Sequence, residues 1–116
     1  MKKETYRRGL HAEALCRMAL RLKLYRIIAS RYRSPFGEID IIAKRGRVLA
    51  LIEVKARQGE REGMEAVTPQ QRERLGRAAA DFLARHPRYG KHDVRFDVML
   101  VLPRRWPLHI YAAWRM

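Results

Sequence analysis

The stretch Gly37–Lys55, GEIDIIAKRGRVLALIEVK, decides how the rest of the chain is read. Two apolar runs flank Lys44-Arg45-Gly46-Arg47, and Gly46 is free to take the positive φ that a tight hairpin turn needs. Strand side chains alternate, so Glu38, Asp40 and Ile42 fall on one face and Ile39, Ile41 and Ala43 on the other. Val48 to Val54 is apolar on both faces until Glu53 and Lys55, which a spacing of two points the same way. With Arg45-Gly46 as a two-residue turn, Lys44 faces Arg47, and Ile42, Asp40 and Glu38 face Leu49, Leu51 and Glu53. That register gathers Glu38, Asp40, Glu53 and Lys55 on one face, with Asp40 and Glu53 as diagonal neighbours roughly 7–8 Å apart. A slip of one residue separates them.

Carboxylates gathered on a sheet face repel one another and are costly to desolvate unless a cation or hydrogen bonds hold them. A divalent metal bound by one or two carboxylates together with phosphate oxygens solves that problem. The competing reading is an edge strand whose charges face water, with Lys55 paired to Glu38 or Glu53.

Asp40 followed by Glu53-x-Lys55 on the adjoining strand resembles the PD-(D/E)xK core of type II restriction enzymes and archaeal Holliday-junction resolvases. GEIDIIA, IEVKAR, AVTPQQ and VRFDV, in that order, resemble the uncharacterised bacterial YraN-like family, which is grouped with those nucleases. The resemblance spans about residues 9 to 102. It implies a restriction-endonuclease-like core and hydrolysis of phosphodiesters with Mg²⁺ or Mn²⁺. Asp40 and Glu53 would be metal ligands and Lys55 the residue at the attacking water. It also implies a glutamate from the first helix at the metal, and Glu13 is the matching residue. From the residues alone, Glu13 reads as a solvated helix acid paired with Arg17 at i+4. Gln71 departs from the family pattern, which often has lysine there. With Gln70 it keeps polar groups that could meet phosphate or an ordered water.

At 116 residues the chain is one domain, residues 1–116, long enough for a single core. Twenty-six Lys and Arg against twelve Asp and Glu give a formal charge of +14, which favours a polyanionic partner. Arginine dominates, which suits bidentate phosphate contacts, although an arginine-rich genome biases composition the same way. The single cysteine, Cys16, excludes an intramolecular disulfide and a cysteine-rich zinc site. With no apolar run of membrane-spanning length and no signal peptide after Met1-Lys2-Lys3, the expectation is a cytoplasmic protein with no membrane partner.

Residues 5 to 24 read as a helix whose apolar stripe is Ala12, Leu15, Cys16, Ala19 and Leu22, with Arg7, Arg8, Arg17 and Arg21 outside. Tyr25 to Tyr32 is a strand, and Pro35 and Gly37 mark the break before the hairpin. The segment after Lys55 is polar and reads as a mobile loop in which Arg57 and Arg61 could meet phosphate, or as an ordinary crossover. Thr68, Pro69 and Gln71 form a helix start with a capping box, followed by Leu75, Ala78, Ala79, Phe82, Leu83 and His86. Asp93 to Leu102 alternates as a strand, with Asp97 a structural partner for Arg95 or a loop amide. Pro103 to Pro107 is a turn, and Leu108 to Trp114 a last short strand with exposed aromatics. The four histidines show no metal spacing.

The order α-β-β-β-α-β-β predicts an α/β domain, a mixed β-sheet flanked by two helices, and the resemblance implies that this is a restriction-endonuclease-like (PD-(D/E)xK) core. The expected function is a metal-dependent endonuclease acting on DNA, more than on RNA, with branched or repair intermediates among its candidate substrates. Arg7, Arg8, Arg57, Arg61, Gln70 and Gln71 would contact nucleic acid. Two alternatives stand beside it: a non-catalytic nucleic-acid-binding module that keeps the nuclease fold, and a protein-interaction adaptor. A homodimer is compatible with each.

Overall fold

A computed structural model describes the backbone of residues 2–115 and the side chains of residues 9–115. Five strands form one mixed sheet in chain order: β1 (Arg26–Ser34), β2 (Gly37–Arg45), β3 (Val48–Ala56), β4 (Asp93–Val101) and β5 (Leu108–Trp114). All neighbours are antiparallel except β3 and β4, which run parallel. A parallel pair requires a crossover, and the chain between β3 and β4 supplies it as helices α2 (Glu60–Glu65) and α3 (Pro69–Arg85), followed by a short 3-10 turn at Pro87–Tyr89. The remaining helix, α1 (Lys2–Leu22), covers the opposite face.

Each sheet face buries its own core. Toward α3 lie Ile42, Leu49, Leu51, Phe96, Val98 and Leu100, packed on Leu75, Ala78 and Phe82. Toward α1 lie Ile41, Ala43, Ala50, Ile52 and Met99, packed on Cys16, Ala19 and Leu20. The alternation read from Val48 to Ile52 is therefore that of a strand covered on both sides.

The hairpin turn differs from the expected one. Arg45 pairs Val48 and Lys44 pairs Leu49, so the two turn residues are Gly46-Arg47. Gly46 has φ +60 and occupies the first central position, the slot where a type II′ turn uses glycine. Every pairing moves along by two, an even shift that keeps the parity of β2 against β3.

Helix α1 stops at Leu22, short of the expected Leu24. Leu24 takes φ +70, and the amide of Tyr25 turns back to the Leu20 carbonyl at 2.9 Å, a left-handed helix ending. Leu22 is consequently 71% exposed, and Leu20 takes its place in the core. The first strand begins at Arg26 and runs on to Ser34. The segment expected to be a mobile loop contains α2, which is held because buried Gly63 lets its backbone approach the Leu100 side chain on β4.

At the other sheet edge, Val98 pairs Ile110 while Phe96 pairs Trp114, so extra residues on β5 oppose Asp97 alone. Fully buried Asp97 fills that gap, accepting from the Ala112 amide (2.9 Å), from Arg95 Nε (2.8 Å) and sharing 2.8 Å with His109 Nε2. Burial alone raises its pKa, but the hydrogen bonds from His109, Arg95 and Ala112 outweigh burial and hold it below the usual value. Of the last strand's aromatic groups only Tyr111 is exposed. Trp114 stacks on Phe96 and the His109 side chain is buried. Among the described residues no helix is long and apolar enough to cross a membrane.

Candidate functional site

Strands β2 and β3 part company at Asp40. Their ladder ends at the pair Ile41–Ile52, although both strands continue. Beyond that pair the Val54 amide donates to Asp40 Oδ2 at 2.9 Å, a carboxylate standing in for a backbone carbonyl. The side-chain alternation of β2 breaks at the same residue, because Ile39 joins the α3-side core and Ile41 the α1-side core. Across β1, Arg31 falls between the pairs Ser30–Ile41 and Tyr32–Ile39, and takes a left-handed φ of +53. Such a backbone is uncommon outside glycine and marks a place where sheet regularity gives way to side-chain placement.

Glu53 continues the Leu49–Leu51 row and is 4% exposed. Its Oε1 receives Lys55 Nζ at 3.2 Å and Gln71 Nε2 at 2.9 Å, the latter from the first turn of α3. Asp40 lies close enough for its charge to act on Glu53. Burial, then the negative charge of Asp40, pushes Glu53 up to about 8, against the lowering pull of Lys55. Asp40 is also raised, first by burial and then by Glu13, against the opposing Val54 hydrogen bond. Beneath them on α1, Cys16 is pushed up to about 12 by burial and by the charges of Asp40 and Glu13, which leaves it an inert thiol.

Glu13 is 6% exposed and does reach this neighbourhood, since its charge acts on Asp40. It does not pair with Arg17. Arg31 holds it with two bonds, Nε to Oε1 at 2.8 Å and Nη2 to Oε2 at 3.1 Å. Gly9, Ala12, Glu13, Lys55 and Arg57 line a cleft of about 320 Å³ between α1 and the end of β3. Arg57 therefore shares that cleft with Glu13 and Lys55. Arg61 is exposed on α2 and paired with Glu65 at i+4. Gln70 is exposed on the first turn of α3. Only half of the expected capping box forms: Thr68 Oγ1 accepts from the Gln71 amide at 3.1 Å, while the Gln71 side chain goes to Glu53. Arg7 and Arg8 lie outside the described side chains. Glu38 stays apart, exposed and 3.7 Å from Arg33.

The sequence reading missed Arg31, and nothing local announces it, because its partner is on another element and its backbone conformation is unusual for arginine. The result is a cluster of three carboxyls, Glu13 and Glu53 buried and Asp40 half-buried, with Arg31 and Lys55 as their cations. Among the described residues no group of three acids, histidines or cysteines is arranged to hold a metal. The pair Asp40–Glu53 is arranged differently: Lys55 and Gln71 both hold Glu53 Oε1 and Val54 holds Asp40 Oδ2. Glu53 Oε2 and Asp40 Oδ1 remain to be shared.

Residues 12–101 match the family described as "Uncharacterised protein family UPF0102". A UPF0102 protein of Parvibaculum lavamentivorans is 53% identical over 110 residues, covering 95% of this chain and 83% of that protein. One from Chelativorans sp. is 49% identical over 115 residues, covering 97% of this chain and 93% of the relative. A third, from Mesorhizobium japonicum, is 46% identical over 112 residues, covering 97% and 90%. The chain that joins Asp40, Glu53 and Lys55 at the parting of two strands thus belongs to the UPF0102, or YraN-like, bacterial family.

Proposed function

We propose that the protein is a metal-dependent endonuclease of the PD-(D/E)xK kind that hydrolyses phosphodiesters in DNA. The observation carrying this reading is the meeting of half-buried Asp40 and buried Glu53, both raised in pKa, with Lys55 as the ammonium beside them. Two neighbouring carboxyls, each raised in pKa by burial, have the electrostatics of a site suited to a hard cation. The donor set fits Mg²⁺ or Mn²⁺, which take a few carboxylate oxygens and complete their shell with water and phosphate. Asp40 and Glu53 would hold it, and when bound it supplies Lewis-acid stabilisation of the phosphoryl oxygens.

The chain's own groups do the rest. Lys55 Nζ, steered by Glu53, holds the attacking water by hydrogen bond and places positive charge against the oxygens that gain negative charge. Gln71 fixes the Glu53 carboxyl from α3, so that the acid presents one oxygen and not a rotating pair. Arg57, at the cleft wall, meets the substrate backbone. Arg31 neutralises Glu13 and so removes one repelling charge from the path of a polyanion.

A second reading, a non-catalytic nucleic-acid-binding module with the same fold, draws support from the same pairing. Arg31 occupies Glu13, and Lys55 with Gln71 occupies Glu53. A cleavage assay separates the two, using single-stranded, duplex, flap and junction DNA with Mg²⁺ or Mn²⁺. Wild type is expected to cut at least one substrate. Asp40→Asn keeps an acceptor for the Val54 amide and is expected to lose cleavage while binding DNA as well as before or slightly better. Lys55→Ala is expected to lose cleavage with metal binding nearly intact. If wild type cuts nothing and metal does not raise its melting temperature, the module reading replaces the enzyme. Activity that survives Asp40→Asn belongs to a contaminant.

A further inference from the structure

Among the described residues, a cluster of cations without acid partners also lies away from the acid pair. At the site end of the sheet several arginines are matched by acids, Arg33 with Glu38, Arg61 with Glu65 and Arg105 with Glu60, while Arg57 donates to the Ala56 carbonyl. At the opposite end, around the β2–β3 hairpin, the balance is different. Arg26 pairs Lys44 across β1 and β2, and Arg45 Nη1 donates to the Lys23 carbonyl at 3.2 Å. Arg47 Nη2 reaches the Lys91 carbonyl at 3.4 Å, and the Arg47 carbonyl accepts from the Asp93 amide at 2.7 Å. These contacts join Lys23, Arg26, Lys44, Arg45, Arg47 and Lys91 into one patch. Among the described residues none of the six has a carboxylate within ion-pair distance, and the exposed acid at this end is Asp93.

The cations at the heart of the patch are held in place by groups that leave their charge intact. Lys23 Nζ sits 3.0 Å from His109 Nδ1 and 2.8 Å from the Tyr111 hydroxyl. An ammonium only donates, so Nδ1 accepts and the ring hydrogen is on Nε2, toward Asp97. The Arg45 guanidinium lies 4.7 Å over the Tyr25 ring. Rings and carbonyls thus fix like charges next to one another, an arrangement that repels itself until an anion arrives.

We propose that the β2–β3 hairpin end is a phosphate-backbone anchor, a second grip on nucleic acid at a distance from the acid pair. Lys55 and Val48 are the two ends of this stretch of β3, which at about 3.3 Å per residue separates anchor and acids by roughly 20 Å. That is about six nucleotides of one strand. The anchor rests on the nucleic-acid part of the proposed function and not on the hydrolytic part.

The test measures binding of a fluorescent DNA duplex in chelator, across a series of salt concentrations, for wild type, Arg45→Gln/Arg47→Gln and Arg77→Gln. Arg77 is exposed on α3 and already paired with Glu73, so its variant serves as the control. The double variant is expected to lower the slope of log affinity against log salt by about two, one for each phosphate it no longer neutralises, and the control to leave it unchanged. An unchanged slope in a folded double variant overturns the anchor. So does a loss of binding to vesicles of phosphatidylglycerol with DNA binding intact, since the patch then meets a membrane surface. If circular dichroism shows the double variant unfolded, Arg47→Gln alone decides: a slope lower by about one supports the anchor and an equal slope rejects it. Cleavage with Mg²⁺ is scored separately. A protein that cuts nothing but loses slope keeps the anchor, whereas one that cuts and keeps its slope loses the anchor alone.

Discussion

In the unfolded chain Glu53 releases its proton near 4.5, whereas in the folded protein it keeps it to about 8. Between those values the folded state binds more protons than the unfolded one, so the metal-free protein loses stability as pH rises through that window. Melting in chelator is expected to be highest near about pH 5 and to fall toward about pH 8, and Glu53→Gln should flatten that fall. A melting temperature that climbs over the same range would show that Glu53 is not a buried acid. Added Mg²⁺ should stabilise most at the upper end of the window, because ligands must shed their proton to bind it. At this scale the sequence was informative about identity and poor about company. Asp40, Glu53 and Lys55 were legible from their spacing, but the break in β2 alternation that turns Asp40 onto the Val54 amide was not. Arg31 was not legible either, and Gln71 reads in sequence as a polar group for phosphate or water and not as the partner of Glu53, because each comes from another element and is joined to its acid only by tertiary packing.

Among the elements, α2 shows how a short helix can be specified by one residue with no side chain. A Cβ at Gly63 would stand 2.6 Å from Leu100 Cδ2, and Leu100 is fully buried with no room to retreat. Gly63→Ala gains about 1 kcal/mol of helix propensity and meets an overpacking cost of about 1–3 kcal/mol. A lower melting temperature is expected, together with faster amide exchange over Glu60–Glu65; a stabilised variant would show that α2 is not pinned against β4. Six residues with two glycines nearby carry no helical period, which is why this element reads as loop in sequence. The hairpin was legible through its alternation and Gly46, yet its register lay two residues along. Composition tells that a glycine is in the turn but not which of the turn's positions it fills. The end of α1 was hidden for a similar reason: Leu24 has an ordinary helical profile, and its φ of +70 is imposed by the entry into β1.

For the whole molecule, the formal charge of +14 makes self-repulsion a term in stability. At the hairpin end Lys23, Arg26, Lys44, Arg45, Arg47 and Lys91 have no acid within ion-pair distance among the described residues, so like charges repel one another there. Raising salt from a few millimolar to physiological strength shortens the reach of that repulsion to about 8 Å. The melting temperature of the free protein is therefore expected to rise with salt while its affinity for DNA falls. A melting temperature that drops with salt would mean that the ion pairs of the site end dominate. The seam between β3 and β4 has a consequence of another kind, in the order of assembly. Val48 meets Asp93 and Ala56 meets Val101, so every rung of that parallel ladder spans the same length of chain and none can close early. The two antiparallel units on either side have turns to start from, and hairpins close in about 1–10 μs. Asp40, Glu53 and Lys55 all belong to the earlier unit. The expected order of assembly therefore has the strands that carry the acids pair first, with α3 bringing Gln71 to Glu53 only as the crossover to β4 is completed.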